Sequence, residues 1–269
     1  MRKSFPPPGF RRIPEAAFQG PARPIGAWHP PCFPTGMNRG LYSAVAAQKS
    51  AQTELESITS NLANLNSIGH KRALTSTQSF ERVLGDSIDR GLRTRAHVDF
   101  DQGQLAYGKG STDLALNGSG FFVVETEEGE AYTRNGRFHF DSEGVLQTLD
   151  GLPVAWDGPN AVIDPNGAPV RIDSTGTVSQ GDQVIGDLLL KDFAQPQRLQ
   201  PDRLGYFHAT PNMEELPSEA TVIQGALESS NANAVDEMIR MVVVQRRFES
   251  ATRMMSMIDQ TYHRLTQNR

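Results

Sequence analysis

The sequence is poor in the residues that build metal and redox sites. It has one cysteine, Cys32, in 269 residues, which excludes both a disulfide within the chain and a cysteine-based metal site. Its six histidines are scattered, and none lies four residues from another, the spacing that puts two metal ligands on one helix face. No nucleophile elbow and no complete phosphate-loop motif is present. We therefore predict no catalytic residue, no cofactor and no metal.

Long apolar runs are also missing from the sequence. Nowhere is a run long enough for a transmembrane helix or for the core of a signal peptide. The charge balance argues against a nucleic-acid-binding protein, because 31 acidic and 26 basic residues give a net charge of −5. Binding to nucleic acid depends on many contacts between Lys or Arg and phosphate. We therefore expect neither membrane insertion nor a nucleic-acid partner.

Residues 1–36 differ in composition from the rest of the chain. They hold nine of the 17 prolines, and five Lys or Arg against one acidic residue. Proline at this density interrupts helices and sheet ladders alike, so we predict a disordered leader. Two alternatives remain open. The segment is either a basic or proline-rich binding element, or it is never made because translation begins at Met37.

Residues 231–269 are predicted to form a long C-terminal helix with a heptad seam. Apolar or aromatic residues recur at alternating steps of three and four, with no Gly or Pro between them, as in helices that coil against a partner. The alternative is an amphipathic helix that lies on its own globular core. The seam consists of Met241, Val244, Phe248, Ala251, Met255, Ile258, Tyr262 and Leu265.

Residues 37–72 carry a second seam of the same length, followed by Asn66, Ser67 and Gly69 as a helix stop signal. Seven of its eight positions are apolar, and Gln48 is the exception. The two seams predict one helical module, whose helices pair within the chain or with those of neighbouring subunits. The apolar positions of this N-terminal seam are Leu41, Ala44, Ala51, Leu55, Ile58, Leu62 and Leu65.

The residues between the helices read as mostly β structure. Residues 73–110 are charged and predict an irregular, partly extended arm, and residues 211–230 predict a return linker. Residues 111–210 contain short apolar runs separated by turn dipeptides, the pattern of an antiparallel barrel or sandwich. The predicted fold is α+β: N- and C-terminal heptad helices form a coiled-coil module around an inserted antiparallel all-β domain. The turn dipeptides are Glu128-Gly129, Asn135-Gly136, Glu143-Gly144, Asp150-Gly151, Asn166-Gly167 and Thr175-Gly176.

Four motifs, in order along residues 37–268, resemble the signatures of bacterial flagellar axial proteins, the family of rod and hook subunits. They read SNLANLNSIGHKR, DLALNGSGFFVV, AYTRNGRF, and QGALESSNANAVDEM followed by QRRFE. The usual first signature has Thr in place of Ser67, and Phe or Tyr in place of His70. The positions that carry the resemblance are Asn61, Ala63, Asn64, Gly69, Gly118, Gly120, Phe121, Phe122, Tyr132, Thr133, Arg134, Gly136, Gly225, Leu227, Glu228, Ser230, Asn231, Gln245 and Arg246.

This resemblance implies a structural, non-enzymatic subunit of the flagellar basal-body rod. It implies export through the flagellar export apparatus without a cleaved signal peptide. The terminal helices would then assemble with other rod and hook subunits into a helical array that crosses the periplasm and transmits torque. The short arm and small insert resemble a proximal rod component first and a distal rod component second. The rival function is a β domain that binds a cell-wall ligand, with the helices as a stalk.

The asparagines of these motifs have two possible roles. Asparagine side chains often cap helices and form tight turns, and they also hydrogen-bond between subunits. We expect capping and turn formation from Asn61, Asn64, Asn231 and Asn233.

Overall fold

The computed structural model describes residues 35–84, 87–108, 110–158, 162–164, 167–202 and 204–267, with the backbone alone at 35–39, 79–84 and 87–93. The predicted leader therefore lies outside the described residues, apart from its last two positions, where the first helix begins. The chain runs from a helix through a two-stranded hairpin and a β domain to a second helix.

The two long helices are α1, Thr35–Ala63, and α2, Ala234–Gln267. They run antiparallel, because Gly40 near the start of α1 lies beside Ile258 far along α2, whereas Glu54 pairs with Arg247 at 2.9 Å. The helices therefore form a hairpin whose connection is the whole β region. We call α1 and α2 together the helical pair.

The predicted seams face each other within the chain. Ala51, Ile58 and Val244 form a buried cluster, and Leu55, Met241 and Phe248 pack against it. Ala44 and Ala251 are buried as well. Of the two alternatives for the seams, pairing within one chain is therefore present, and supercoiling stays a prediction. Two seam positions are exposed, Leu41 at 38% and Leu265 at 56%.

The arm predicted as irregular is instead a regular antiparallel hairpin of β1, Ala73–Leu84, and β2, Ser87–Val98. Its base folds back along α1. The hydroxyl of Ser50 lies 2.8 Å from that of Thr77, and the Thr75 hydroxyl donates to Ser57 at 3.0 Å. The prediction of an irregular segment was wrong because ladder hydrogen bonds use the backbone and tolerate charged side chains.

The β domain contains fifteen short strands among the described residues. They are β3 Leu105–Tyr107, β4 Leu114–Asn117, β5 Phe121–Thr126, β6 Gly129–Thr133, β7 Phe138–Phe140, β8 Leu146–Thr148, β9 Val170–Ile172, β10 Thr177–Gln180, β11 Gln183–Asp187, β12 Leu190–Phe193, β13 Gln200–Pro201, β14 Phe207–His208, β15 Glu215–Pro217, β16 Thr221–Gln224 and β17 Ala226–Glu228. A single 3-10 turn, Pro196–Arg198, precedes β13.

All strand pairs of this domain are antiparallel, as predicted. The largest sheet has the order β13-β14-β6-β5-β12-β15, and a three-stranded sheet has the order β11-β10-β9. The remaining pairs are β16-β4, β17-β3 and β7-β8.

The β domain extends beyond the predicted 111–210. Residues 211–230, expected to be a linker, contribute β15, β16 and β17, and β17 pairs with β3 at residues 105–107. Pro201 and Pro217 lie in the outermost strands of the largest sheet, β13 and β15. Proline is tolerated at a sheet edge because its missing N–H is not needed there.

Strand β5 lies at the centre of two hydrophobic clusters. Phe122 and Val124 point into the larger one, and Phe121 and Val123 point into the smaller one. Both faces of this strand are buried, which explains why its sequence is a continuous apolar run rather than an alternating one. The strand therefore anchors its partner β6, in which the AYTRNGRF motif begins.

The predicted turn glycines fall into two groups. Gly129, Gly144, Gly151 and Gly176 have positive φ, as expected of tight turns. Gly136 does not, so the prediction of a left-handed turn there was wrong. Glycine is nevertheless required at position 136, because a Cβ there would lie 1.7 Å from the carbonyl oxygen of Leu114. Asn166 lies outside the described residues.

Candidate functional site

Within the described part of the chain, no group of three or more His, Cys, Asp or Glu side chains is placed to hold a metal ion. None of the helices in this part has an apolar stretch long enough to cross a membrane. The most organised polar cluster lies where the helical pair, the hairpin and the β domain meet. We call this cluster the junction.

Two backbone segments run side by side at the junction. The N–H of Gly69 donates to the carbonyl of Glu228 at 2.7 Å, and the N–H of Asn231 lies 3.4 Å from the carbonyl of His70. One segment follows α1 and the other precedes α2. The chain therefore enters and leaves the β domain at the same place, and both helices are fixed to it there.

Glu228 is the centre of the junction and is 1% exposed. Its Oε1 accepts hydrogen bonds from Lys71 Nζ at 2.7 Å and from the backbone N–H of Gly103 at 2.8 Å. Its Oε2 accepts from Arg134 Nη1 at 3.3 Å. Arg134 also donates through Nη2 to the carbonyl of Gly118 at 2.8 Å. One carboxylate thus connects four distant parts of the sequence.

The three buried side chains Glu228, Lys71 and Arg134 carry one negative and two positive charges. The carboxylate of Asp99 also attracts Lys71, and that of Asp192 also attracts Arg134. Burial lowers the pKa values of both Lys71 and Arg134, and the attraction of the Glu228 carboxylate opposes the shift in each case. Lys71 has further acceptors in the backbone, since Nζ donates to the carbonyl of Asp101 at 2.8 Å. Taking charged groups out of water costs free energy that only close, well-directed partners offset. The Glu228 carboxylate therefore offsets part of the free-energy cost of burying the charges of Lys71 and Arg134.

Two asparagine side chains tie strand ends to the junction. Asn231 Oδ1 accepts from the N–H of Arg72 at 2.8 Å, and its Nδ2 donates to the carbonyls of Asp99 and Asp101 at 2.9 and 3.0 Å. Asn61 is 1% exposed, and its amide exchanges two hydrogen bonds with the backbone of Ala73, at 2.8 and 2.9 Å. Both act as long-range clamps within the chain, which differs from the expected capping role.

The other two asparagines behave as expected. Asn233 caps α2, because its Oδ1 accepts from the N–H of Val235 at 2.9 Å. Asn64 stabilises the turn after α1, where its Nδ2 donates to the carbonyl of Ser60 and its Oδ1 accepts from the Ser67 hydroxyl. Capping and turn formation are thus confirmed for these two residues.

A second ion pair joins the hairpin to α2. Arg72 Nε donates to Glu237 Oε1 at 2.6 Å, and the Glu237 side chain is fully buried. Glu237 lies in the first turn of α2, where a negative charge also interacts favourably with the helix dipole. The start of α2 is therefore held both by its cap and by a charge from the opposite segment.

Gly69 permits the close approach of the segment after α1 to the backbone that follows strand β6. Its φ is +65°, and a Cβ would lie 2.4 Å from backbone atoms of Arg134 and Asn135. Any side chain here would meet rigid backbone as well as an unfavourable left-handed conformation. This glycine therefore sets the distance between the end of α1 and strand β6.

The structure gathers some predicted motif residues and leaves others apart. Asn61, Gly69, Gly118, Arg134, Glu228 and Asn231, drawn from all four motifs, meet at the junction. Phe121, Phe122, Tyr132, Thr133, Gly136 and Leu227 are buried in the β domain instead. Gly120 lies at the start of β5 and Gly225 between β16 and β17, while Ala63, Gln245 and Arg246 are exposed on the helices and Ser230 is half-buried.

Four junction residues were not among the predicted ones: Lys71, Arg72, Gly103 and Glu237. Two of them, Lys71 and Arg72, end the first motif, and Glu237 lies near the end of the last. A signal for the pairing was the presence of charges inside otherwise apolar or small-residue motifs. Gly103 had no such signal, because its contact is through the backbone.

Comparison with known proteins identifies the family. The family model described as "Flagellar hook protein FlgE/F/G D1 domain" matches residues 115–180, and that described as "Flagellar basal body rod FlgEFG protein C-terminal" matches residues 223–268. A flagellar basal-body rod protein FlgF of Caulobacter vibrioides is 33% identical over 81% of this chain and 93% of its own length. The chain belongs to the flagellar basal-body rod protein family.

Other rod proteins are similarly related to the chain. FlgF of Escherichia coli is 32% identical over 86% of this chain and 98% of its own length. FlgG of Bacillus subtilis is 29% identical over 85% of this chain and 98% of its own length. The second family model begins within β16 and covers all of α2, so this rod-family region contains Glu228, Asn231 and Glu237 from one side of the junction.

Proposed function

We propose that this protein is a structural, non-enzymatic subunit of the flagellar basal-body rod. Its helical pair assembles with neighbouring subunits into a helical shaft, and its β domain forms the outer part. The observation that carries the proposal is the junction, where residues from all four rod-family motifs fix both helices to the β domain. A rigid joint at this place suits a subunit that passes torque from helices to the outer domain.

The exposure of the helical pair supports assembly through it. Both helices bury one seam against each other and leave large apolar side chains on their other faces in contact with water. Exposed apolar surface of this extent marks a protein–protein contact. Its partners are further copies and other rod and hook subunits, and the flagellar export apparatus delivers it to the periplasm-spanning rod without a cleaved signal peptide.

Within the family, we assign the protein to the FlgF type, the proximal rod, with the FlgG type, the distal rod, as second candidate. The alignment with Caulobacter FlgF spans 227 residues for 81% of this chain, whereas that with Bacillus FlgG spans 264 residues for 85%. The two alignments cover similar shares of this chain, but the one with FlgG is longer. FlgG therefore has residues that have no counterpart in this chain. This agrees with the short arm between the first helix and the β domain.

The test is peptide mass spectrometry on hook–basal bodies purified from the source bacterium, together with deletion of the gene. We expect the chain in basal bodies at low copy number, and loss of swimming on deletion that a plasmid-borne copy restores. A copy carrying the exposed substitution Glu127→Gln serves as the matched control for expression. Finding the chain only in other envelope or cytosolic fractions, with swimming intact after deletion, would contradict the proposal.

A further inference from the structure

The last turns of α2 expose an apolar patch at one end of the helical pair. Met254, Met257 and Leu265 are 51%, 61% and 56% exposed. Because an α-helix turns by about 100° per residue, the three side chains fall within about 80° around α2 and share one side of it. We call these three residues the distal patch. Helix α2 starts at the junction, so the distal patch lies at the opposite end of the helical pair.

The distal patch extends past the described start of α1. Gly40 is level with Ile258, since a Cβ on Gly40 would lie 3.7 Å from Ile258 Cδ1. Leu265 is seven residues beyond Ile258, and the residue seven before Gly40 is Phe33. The described part of α1 begins only at Thr35. The chain level with Leu265 in an antiparallel pair is therefore the end of the leader.

The leader carries the side chains to cover this patch. Residues 1–34 contain seven large apolar or aromatic side chains, and two aromatic ones, Trp28 and Phe33, lie close to the start of α1. Methionine adapts its shape to its neighbours and makes favourable sulfur contacts with aromatic rings. The two methionines of the distal patch therefore suit an aromatic occupant. The seven side chains are those of Phe5, Phe10, Ile13, Phe18, Ile25, Trp28 and Phe33.

The leader is long enough for Trp28 to reach the whole distal patch. Trp28 lies seven residues before Thr35, and an extended chain of that length spans at most about 25 Å. By the same match of levels, Thr35 lies beside position 263 of α2. Met254 is nine residues from that position, or about 14 Å along the helix. Three prolines between Trp28 and Thr35 disfavour a continuation of α1, so the sequence favours a change of direction there.

We propose that residues 25–34 of the leader fold back onto the distal patch of the same chain and cover it while the subunit is free. The inference rests on the proposed function, because the covered face is part of the surface through which the subunit would assemble. A short tether gives an effective concentration on the order of millimolar, so weak apolar contacts hold the leader in place. A neighbouring subunit that buries more apolar surface displaces it. The leader is then an autoinhibitory cover of the assembly surface.

The test measures the exposure of Trp28 in the purified full-length chain. The substitution Trp156→Phe leaves Trp28 as the only tryptophan. We expect acrylamide to quench its fluorescence at least threefold less in the folded chain than in urea. Adding Met254→Asp and Met257→Asp should raise the quenching to the value in urea, with helical circular dichroism unchanged. Quenching of Trp28 in the folded chain as strong as in urea would overturn the contact.

A second measurement keeps Trp156 in place. Cys32 is the only cysteine of the chain and lies within the proposed contact segment, so it can carry a polarity-sensitive dye. We expect the emission of the dye to shift towards that in water when Met254→Asp and Met257→Asp are introduced. An emission that is the same with and without these substitutions would overturn the contact.

Met238→Asp is the matched control for both measurements. Met238 is also an exposed methionine of α2, at 53%. It lies 25 residues from position 263, or about 38 Å along the helix, beyond the reach of Trp28. Trp28 should therefore stay protected in this variant. Loss of protection equal to that in the variant of Met254 and Met257 would show that the leader does not select the distal patch.

The autoinhibitory role is tested by removing the leader. A chain that begins at Met37 should self-associate at a concentration at least threefold below that of the full-length chain in sedimentation measurements. Equal behaviour of the two chains would overturn this role. If the chain in basal bodies has its first peptide at Met37 or Asn38, this inference fails and the proposed function stands. If Trp28 is protected but basal bodies lack the chain, the proposed function fails and the contact stands.

Discussion

The β domain and the helical pair differ in how completely each fills its own interior. Among the described residues, the two clusters of the β domain contain sixteen and eight buried apolar side chains, whereas that of the helical pair contains three. The helices are long, with 29 and 34 residues. Most of their surface therefore has no partner inside the subunit.

The difference in apolar burial indicates which part of the subunit is stable without neighbouring subunits. Apolar burial drives folding, and an isolated helix gains most of its stability from packing against other elements. We therefore expect the β domain with the junction to be a stable unit, and the helical pair to be stabilised by neighbouring subunits.

The largest loss of stability is expected for Glu228→Gln. The substitution keeps the shape of the side chain but removes the buried carboxylate that pairs with both Lys71 and Arg134. Removal of one partner of a buried pair costs about 3–5 kcal/mol of unfolding free energy. Urea unfolding followed by tryptophan fluorescence would measure it. Glu127→Gln, on an exposed turn, is the control and should be neutral.

Lys71→Met sharpens the same prediction. It removes one of the two cations and leaves Arg134 paired with Glu228, so the buried charge becomes balanced. We expect a smaller loss than for Glu228→Gln. Equal losses in the two variants would mean that packing, rather than charge balance, governs the junction.

Gly69→Ala is expected to come next, with a loss of about 3 kcal/mol, within the range for severe backbone strain and steric conflict. The added Cβ would lie 2.4 Å from backbone atoms of Arg134 and Asn135, which follow strand β6. Gly151→Ala is the matched control, because its φ of +84° is also in the left-handed region but no atom lies within 4 Å of the new Cβ. It should cost only the conformational strain. Thermal unfolding of both variants separates the two effects.

Phe248→Asp should disrupt the helical pair and spare the β domain. Phe248 packs against the cluster of Ala51, Ile58 and Val244, where an unpaired carboxylate costs about 2 kcal/mol. We expect lower helical circular dichroism and faster proteolysis of α2, with the tryptophan-detected transition unchanged. Rods should also fail to assemble. Normal assembly and rotation would refute the role of this seam.

The smallest effect is expected for Arg247→Ala. Its guanidinium lies 2.9 Å from Glu54 but is 61% exposed, and exposed ion pairs contribute about 0–1 kcal/mol. Helical content and assembly should remain near wild type. A loss comparable to that of Phe248→Asp would show that the helical pair depends on charge as well as on its apolar seam.

The sequence predicted the periodic parts of this fold well. The seams on α1 and α2 could be located because apolar spacing in a helix is a local property, and both seams face each other. Most turn glycines were also found, because positive φ is a demand of the turn itself. Gly136 was different, since its need comes from Leu114 in another strand.

The hairpin of β1 and β2 was missed although a signal was present. Gly85-Asp86 separates the two strands, and such a dipeptide between strand-like runs predicts a two-residue hairpin. The charged side chains on both strands favoured the irregular interpretation. Backbone pairing does not depend on those side chains, because the ladder hydrogen bonds join main-chain groups.

The sequence predicted the motif residues of the junction but not how they pair. The resemblance singled out Asn61, Arg134 and Glu228. However, the contact between Arg134 and Glu228 joins residues 94 positions apart in the sequence. No local pattern specifies which buried acid pairs with which base. The motifs mark Lys71 and Glu237 as charged residues, but that Lys71 pairs with Glu228 and Glu237 with Arg72 follows only from the assembled fold.

The antiparallel helices and the shared exit from the β domain have a practical consequence for labelling. Residues 35 and 267, the helix ends in the structure, lie at the same end of the helical pair. That end is about 40 Å from the junction, given 29 residues of α1 at a helical rise of about 1.5 Å. A small fluorescent label attached at Leu41 or at Leu265, which are both exposed, therefore reports from the same end of the helical pair. A label in the exposed turn at Glu128 would report on the β domain instead.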